Sequence, residues 1–360
     1  MNTPQAGTNL TGLRDHNTAL VLGLLRAARQ GSSRVELAAG TGLTPQAISK
    51  IVARLLATTL IEEDGRGAST GGKPRTLLRL RPDAGFAVGV ELDRHATTVL
   101  LVDLSGETRC RTTVPAGLAD APPQDTVELI AATVREVAAA APPGANVLGV
   151  GVGCRGPLDQ ATGVLHRPAG LSAWDRFPLR DALAARLDPW PVRLDKDANT
   201  AALACAAPGH TAYLHFSDGL GAGLLLDGAV YRGARTNAGE FGHQVIQLDG
   251  PACGCGARGC LEALCLAALA TGDHRAAARL LAVGVANLVQ LLDVDRVVLG
   301  GQVVFAAPEL YLAELAGQLA ARLPDREWQR VPVSLTPAGP AAVAIGAAEL
   351  VLGPLFGRRT

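Results

Sequence analysis

The chain is poor in aromatic residues. Three Trp, three Tyr and six Phe make 3% of its 360 residues, too few for the stacked platform on which proteins hold single-stranded nucleic acid. No run of 18 uncharged apolar residues occurs, so no membrane span and no membrane partner are expected. The opening "MNTPQAGTNLTG" lacks a basic segment followed by an apolar core. No secretion signal is therefore expected, and the expected location is the cytoplasm. In that compartment seven cysteines point to metal ligands or free thiols before disulfides.

What is present is unevenly spread. Nearly half of the residues, 48%, are hydrophobic, enough for a large core in two or three domains. The formal net charge is zero, yet residues 1–82 hold 11 basic and 5 acidic side chains, a net +6, and the remainder is −6. A basic piece joined to an acidic body suggests a polyanionic partner for the first piece; chance patchiness is the bland alternative.

"HNTALVLGLLRAARQG" has apolar residues at helical spacing and stops at Gly31. Ser33 followed three places on by Glu36 is a capping box that opens a short second helix. After the "GTGL" turn, Thr44 is a good N-cap and Pro45 suits the first helical position. Ile48, Ile51, Val52, Leu55 and Leu56 then form one face, while Gln46, Ser49, Lys50 and Arg54 form the other. This is the pattern of a helix-turn-helix. "LIEED", the tip "GRGASTGGKPR" and "TLLRLR" follow as strand, loop and strand, which makes the module an α+β winged helix-turn-helix over residues 1–82. Its expected contacts with double-stranded DNA are Thr44, Pro45, Gln46, Ser49, Lys50 and Arg54 on the recognition helix, and Arg66, Lys73 and Arg75 on the wing. The alternative is a three-helix module used for protein contacts alone.

From Phe86 the pattern changes. "FAVGVEL" and "TTVLLVDL" read as paired strands, "DTVELIAATVREVAAAA" as an amphipathic helix, and "VLGVGVG" as a buried strand. "PVRLDKDANTAALACAA" runs from strand into helix, and a second cycle begins at "AYLHFS". Two hairpin-then-helix units suggest an α/β body with two lobes and a cleft between them. The expected body spans 83–360. One lobe takes 83–196 with the C-terminal helix, and the other takes 197–335.

In "GHQVIQLDGPACGCGARGC", His243, Cys253, Cys255 and Cys260 make a soft four-ligand set. It suits one structural zinc per chain, held by the 243–260 segment. Free thiols are the alternative. The C-x-C spacing is too short for an unstrained disulfide between its own members. Cys110, Cys154, Cys205 and Cys265 lack ligand-like spacing and are expected as buried small hydrophobes.

Three segments together, "GVGCRGPLDQATGVL", "LDKDANTAALA" and "GLGAGLLLDGAVYRGARTNAGEFGH" followed by "CGCGARGCLE", resemble the ROK family (repressor, open reading frame, kinase). With the N-terminal module, the chain resembles its transcriptional-repressor branch. The resemblance implies a two-lobed, actin-like or hexokinase-type body, dimeric or tetrameric, with zinc beside a sugar cleft. By matching motifs it implies that Asp197 binds a sugar hydroxyl and corresponds to the kinases' general base. Glu240 and Glu262 would accept further hydroxyls, and His243 would serve both zinc and sugar. The expected function is a repressor of carbohydrate genes that binds a palindromic operator and senses a sugar or sugar phosphate. The alternatives are a sugar kinase with a DNA-binding appendage and a regulator that no longer binds sugar.

The sequence departs from the family pattern at chosen places. Asp93, Arg94 and His95 stand where the kinases carry Gly-Gly-Thr against ATP phosphates, and Asp218 adds an acid to the second phosphate loop. Phosphorylation by ATP is therefore not expected. Lys196 replaces the usual Asn, Gly170 replaces the Asn of a "P-N-L" segment, and Arg155 replaces a usual Pro. Lys196 is suited to an acidic or phosphorylated sugar. The segment from Glu262 to the strand near 297 is also shorter than the family pattern.

Overall fold

A computed structural model describes residues 10–66, 75–168, 170–205, 207–323 and 328–360. The chain starts with α1 (Leu10–Ala27), α2 (Arg34–Thr41) and α3 (Pro45–Ala57), followed by the hairpin β1 (Ile61–Arg66) and β2 (Thr76–Leu80). The capping box forms as the sequence predicts. Ser33 Oγ accepts from Glu36 N, and Glu36 Oε2 accepts from Ser33 N at 2.7 Å. Gly42 ends α2 at φ +69°, a conformation glycine adopts without a Cβ clash. Thr44 caps α3 by accepting from Ala47 N, with Pro45 in the first turn. Ile48, Ile51, Val52 and Leu55 are buried on one face of α3, as the spacing predicts.

The body begins with β3 (Phe86–Leu92), β4 (Thr97–Asp103) and β5 (Thr108–Val114), then α4 (Pro123–Ala138) and β6 (Val147–Cys154). A small hairpin of β7 (Leu158–Asp159) and β8 (Val164–Leu165) precedes α5 (Leu179–Leu187), β9 (Val192–Lys196) and α6 (Asp197–Ala204). The second cycle is β10 (Thr211–Phe216), β11 (Leu220–Leu226), β12 (Ala229–Val230), α7 (Leu261–Ala270) and α8 (His274–Leu292). It continues through β13 (Arg296–Gly300), α9 (Gln302–Ala306), α10 (Pro308–Arg322) and β14 (Val333–Leu335) to α11 (Ala342–Leu352). The two five-stranded sheets run β5-β4-β3-β6-β9 and β12-β11-β10-β13-β14. In each, three antiparallel strands are extended by two parallel ones.

Between the sheets lie α6 and α11. A Cβ added to Gly89 of β3 would sit 2.0 Å from Ala344 O, and one on Gly151 of β6 would sit 1.7 Å from Ala347 O. Only glycine lets α11 lie directly on this sheet. Gly346 likewise brings α11 against the backbone of Thr200 in α6. A helix that is apolar all round is a core helix, and nearly every residue of α11 is buried. Two segments, His274–Leu292 and Gly339–Phe356, are long and apolar enough to cross a membrane by composition, but 50% and 67% of these windows are buried inside the protein.

The N-terminal module shares a hydrophobic cluster with the body. Val21, Leu22 and Leu25 of α1 belong to the same cluster as Ala344, Ala348, Leu352 and Phe356. Inside it, Arg26 donates to both oxygens of Glu349, at 3.0 and 2.5 Å. Arg358 donates to Glu349 at 3.3 Å, and the Arg26 guanidinium lies 4.4 Å from the Phe356 ring centroid.

Candidate functional site

Two regions collect the residues singled out in the sequence. On the N-terminal module, Thr44, Pro45, Gln46, Ser49, Lys50 and Arg54 are all exposed along one side of α3. Arg34, Arg79 and Arg81 pair with Glu63, Asp64 and Glu62. Lys50 and Arg75 have no ion-pair partner among the described residues, and Arg54 donates to Thr18 Oγ1. The side chain of Arg66 and the whole of Lys73 lie outside the described residues.

The second region is a cavity of about 900 Å³ in the body. Its walls include Asp197, Glu240, His243 and Glu262, so elements far apart in sequence meet there. Asp197 opens α6 and its Oδ1 accepts from Ala198 N at 2.6 Å. Glu262, in the first turn of α7, accepts from Leu220 N at 2.8 Å. Glu240 Oε2 stands 3.9 Å from His243 Nε2. Its other oxygen is engaged: buried Lys196 donates to Glu240 Oε1 at 3.0 Å and to Ala238 O at 2.6 Å. The lysine that replaces the family's Asn thus rests on a carboxylate expected to meet sugar.

Also lining the cavity, Arg155 pairs with Asp218 and lies 3.7 Å from Asp93. An internal cation thus bridges two acids. Two groups in this neighbourhood escaped the sequence reading. Burial pushes the Glu91 carboxyl up to about 8, with the charges of Asp93 and Asp197 adding to the effect and Arg111 opposing it. Buried Asp195 receives Arg232 at 2.8 and 2.6 Å. Half-buried Glu91 falls in an otherwise buried apolar strand, a local signal of its surroundings; the partner of Asp195 has no local signal.

Beside the cavity, ligand atoms of His243, Cys253, Cys255 and Cys260 all lie within 4.8 Å of one another. Cys253 Sγ is 3.6 Å from His243 Nδ1, and Cys255 Sγ is 3.7 Å from Cys260 Sγ. A tetrahedral ion with metal–sulfur bonds of about 2.3 Å and a metal–nitrogen bond of about 2.05 Å requires about 3.6 and about 3.8 Å for these pairs. The donor set and its spacing fit a metal. Burial and the neighbouring Cys255 and Cys253 thiols push the Cys260 thiol up to about 12, and a divalent cation supplies the charge that adjacent thiolates need. Of the other cysteines, Cys154 and Cys265 are buried, while Cys110 and Cys205 are only partly so.

A helix-turn-helix with a wing, fused to two sheets around a polar cleft, defines a regulator built on a sugar-kinase-type body. The sequence profile of the ROK family matches residues 87–271, and the chain belongs to the ROK family. It is 28% identical over 241 residues to the xylose repressor of Bacillus subtilis (strain 168), which spans 64% of this chain and 60% of that repressor. A crystal structure of a ROK family transcriptional regulator, a homolog of the Escherichia coli MLC protein, superposes with a TM-score of 0.76 at 20% identity over 96% of this chain and 97% of the other. The ROK hexokinase of Thermus thermophilus superposes with a TM-score of 0.62 at 30% identity, over 76% of this chain and 97% of its own. The regulator thus matches this chain along nearly its whole length, whereas the hexokinase leaves about a quarter uncovered.

Proposed function

We propose that the protein is a transcriptional repressor of carbohydrate genes whose ROK body senses a sugar or a sugar derivative. The observation that carries this reading is the exposed basic face of α3 on a module that shares its core with a body holding four sugar-type side chains around one cavity. In this reading residues 1–82 form the DNA-binding unit and 83–360 the ROK unit, with lobes 83–196 plus α11, and 197–335. Lys50, Arg54 and Arg75 meet DNA phosphates, and Gln46 and Ser49 meet base edges. The Arg66 side chain and Lys73, outside the described residues, are included among the DNA contacts on the sequence pattern alone. A homodimer or homotetramer in the bacterial cytoplasm, bound at the nucleoid, sets the spacing of two recognition helices on a palindromic operator. One zinc held by His243, Cys253, Cys255 and Cys260 fixes the loop that carries Glu240 and His243 beside Glu262.

Ligand binding would shift DNA affinity only if the two lobe arrangements bind ligand differently. Gel-shift on the protein's own upstream DNA, with and without a sugar panel, tests the reading. Salt-sensitive and sequence-selective binding is expected, and Lys50→Ala should reduce the salt slope by about one. Absence of selective binding refutes it. The second reading, a sugar kinase, draws on Asp197 at the kinase general-base position. Arg155 between Asp93 and Asp218 opposes it, because the acids repel phosphate. ADP release over a sugar panel that disappears in Asp197→Asn would establish the kinase instead.

A further inference from the structure

We infer that the cleft contains an anion subsite formed by Arg167 and Arg176, with Arg94 beside them, so that the effector is a sugar carrying a carboxylate or a phosphate. The inference rests on the sugar-sensing reading above and names its ligand class.

Both Arg167 and Arg176 line the cavity. They are set side by side at the two ends of one loop: Arg176 N donates to Leu165 O at 2.8 Å, and Arg167 N donates to Asp175 Oδ1 at 2.8 Å. Both adopt left-handed backbone, at φ +46° and +59°, which costs a non-glycine residue free energy and is characteristic of ligand sites. Neither guanidinium has an ion-pair partner among the described residues.

Arg94 reaches the same loop. A Cβ on Gly170 would lie 3.1 Å from its Nη2 and 3.3 Å from its Nη1. The Arg94 guanidinium thus fills the room that a side chain at Gly170 would take.

Arg167 and Arg176 bring two cations to this part of the cavity against the single carboxylate of Asp175. Arg155 is already shared by Asp93 and Asp218, so it is not free to hold an anion. Lys196 acts in the same direction as the arginines. Two of its three N–H groups are engaged with Glu240 and Ala238, which leaves one donor and reduces Glu240 as an acceptor for a neutral sugar. Asp197 and the remaining Glu240 oxygen hold hydroxyls, while the loop arginines hold the anion through charge-assisted, bidentate hydrogen bonds.

Calorimetry on the zinc-loaded full chain tests this with matched triplets of glucose, glucuronate and glucose 6-phosphate, and the corresponding galactose and mannose compounds. One anionic form should bind at least about tenfold more tightly than its neutral parent. The carboxylate and phosphate arms show which anion is taken. Arg167→Gln/Arg176→Gln should erase the preference, whereas Arg167→Lys/Arg176→Lys should retain part of it. An unchanged melting temperature certifies that the variants fold. A neutral parent binding as tightly as its anionic forms, or a preference that survives in the Gln variant, overturns the subsite and leaves sugar sensing standing. No binding anywhere in the panel overturns both.

Discussion

Replacing Glu349 with Ala strikes the junction between the winged helix and the body. The Glu349 side chain is 6% exposed and that of Arg26 is 9% exposed, so water cannot take over the lost contact. Removing one partner of a buried pair costs about 3–5 kcal/mol because the other is left charged and unpaired. With an unfolding entropy of about 2.1 cal/mol/K per residue, a chain of 360 residues gives about 0.76 kcal/mol/K, so Tm should fall by about 4–7 °C. Arg26→Ala should cost less, because Arg358 remains 3.3 Å from Glu349. The double change Arg26→Met/Glu349→Leu should recover most of the loss, since apolar groups of similar size replace a buried pair at little cost. Differential scanning calorimetry on the four proteins decides the matter. A fall of less than about 1 °C for Glu349→Ala, or a double variant as unstable as the two single losses combined, would refute the assignment of this pair as the joint between the modules.

Purified protein should carry about one zinc per chain, and Cys260→Ser should lose it along with thermal stability; a metal-free chain melting at the wild-type temperature would count against the centre. Glu91, held protonated by burial, favours the folded state fully below its unfolded value of 4.5, and that contribution is lost as pH rises through about 8. Tm should therefore decline over this window in the wild type and decline less in Glu91→Gln; parallel curves would exclude Glu91 as the source. Gly151→Ala would force a methyl into Ala347 O, 1.7 Å away, and should destabilise by about 1–3 kcal/mol or more. Denaturant unfolding at wild-type stability would show that α11 does not lie as close to the sheet as described.

The features legible in the sequence are those whose chemistry is local. The capping box of Ser33 and Glu36 needs three residues of spacing, and the four candidate metal ligands fall within positions 243–260. Cys253, Cys255 and Cys260 could be grouped with His243 because glycines keep the segment short and turned. The edge strand β5 was not legible. Its residues alternate between exposed and half-buried, and none is buried, so it offers no apolar stripe to read. Pairs joined across the fold were hidden as well. Arg26 meets Glu349 across 323 positions and Lys196 meets Glu240 across 44. Lys196 could be recognised as a departure from the family pattern, but only the fold brings it onto the carboxylate it partly neutralises. The same holds for Arg94 and Gly170, which only the fold makes neighbours.

The placement of α6 and α11 has a mechanical consequence. α6 follows the last strand of the first sheet, yet Ala198 O lies 2.0 Å from a Cβ built on Gly223 in the second; α11 follows the last strand of the second sheet and lies on β3 and β6 of the first. Each half of the body has lodged its final helix in the other, as two hands clasp by interlocking fingers. Such halves cannot drift apart without exposing the apolar surface of α11. A nick between α6 and β10 should therefore leave two fragments that co-purify under native conditions and separate only in denaturant.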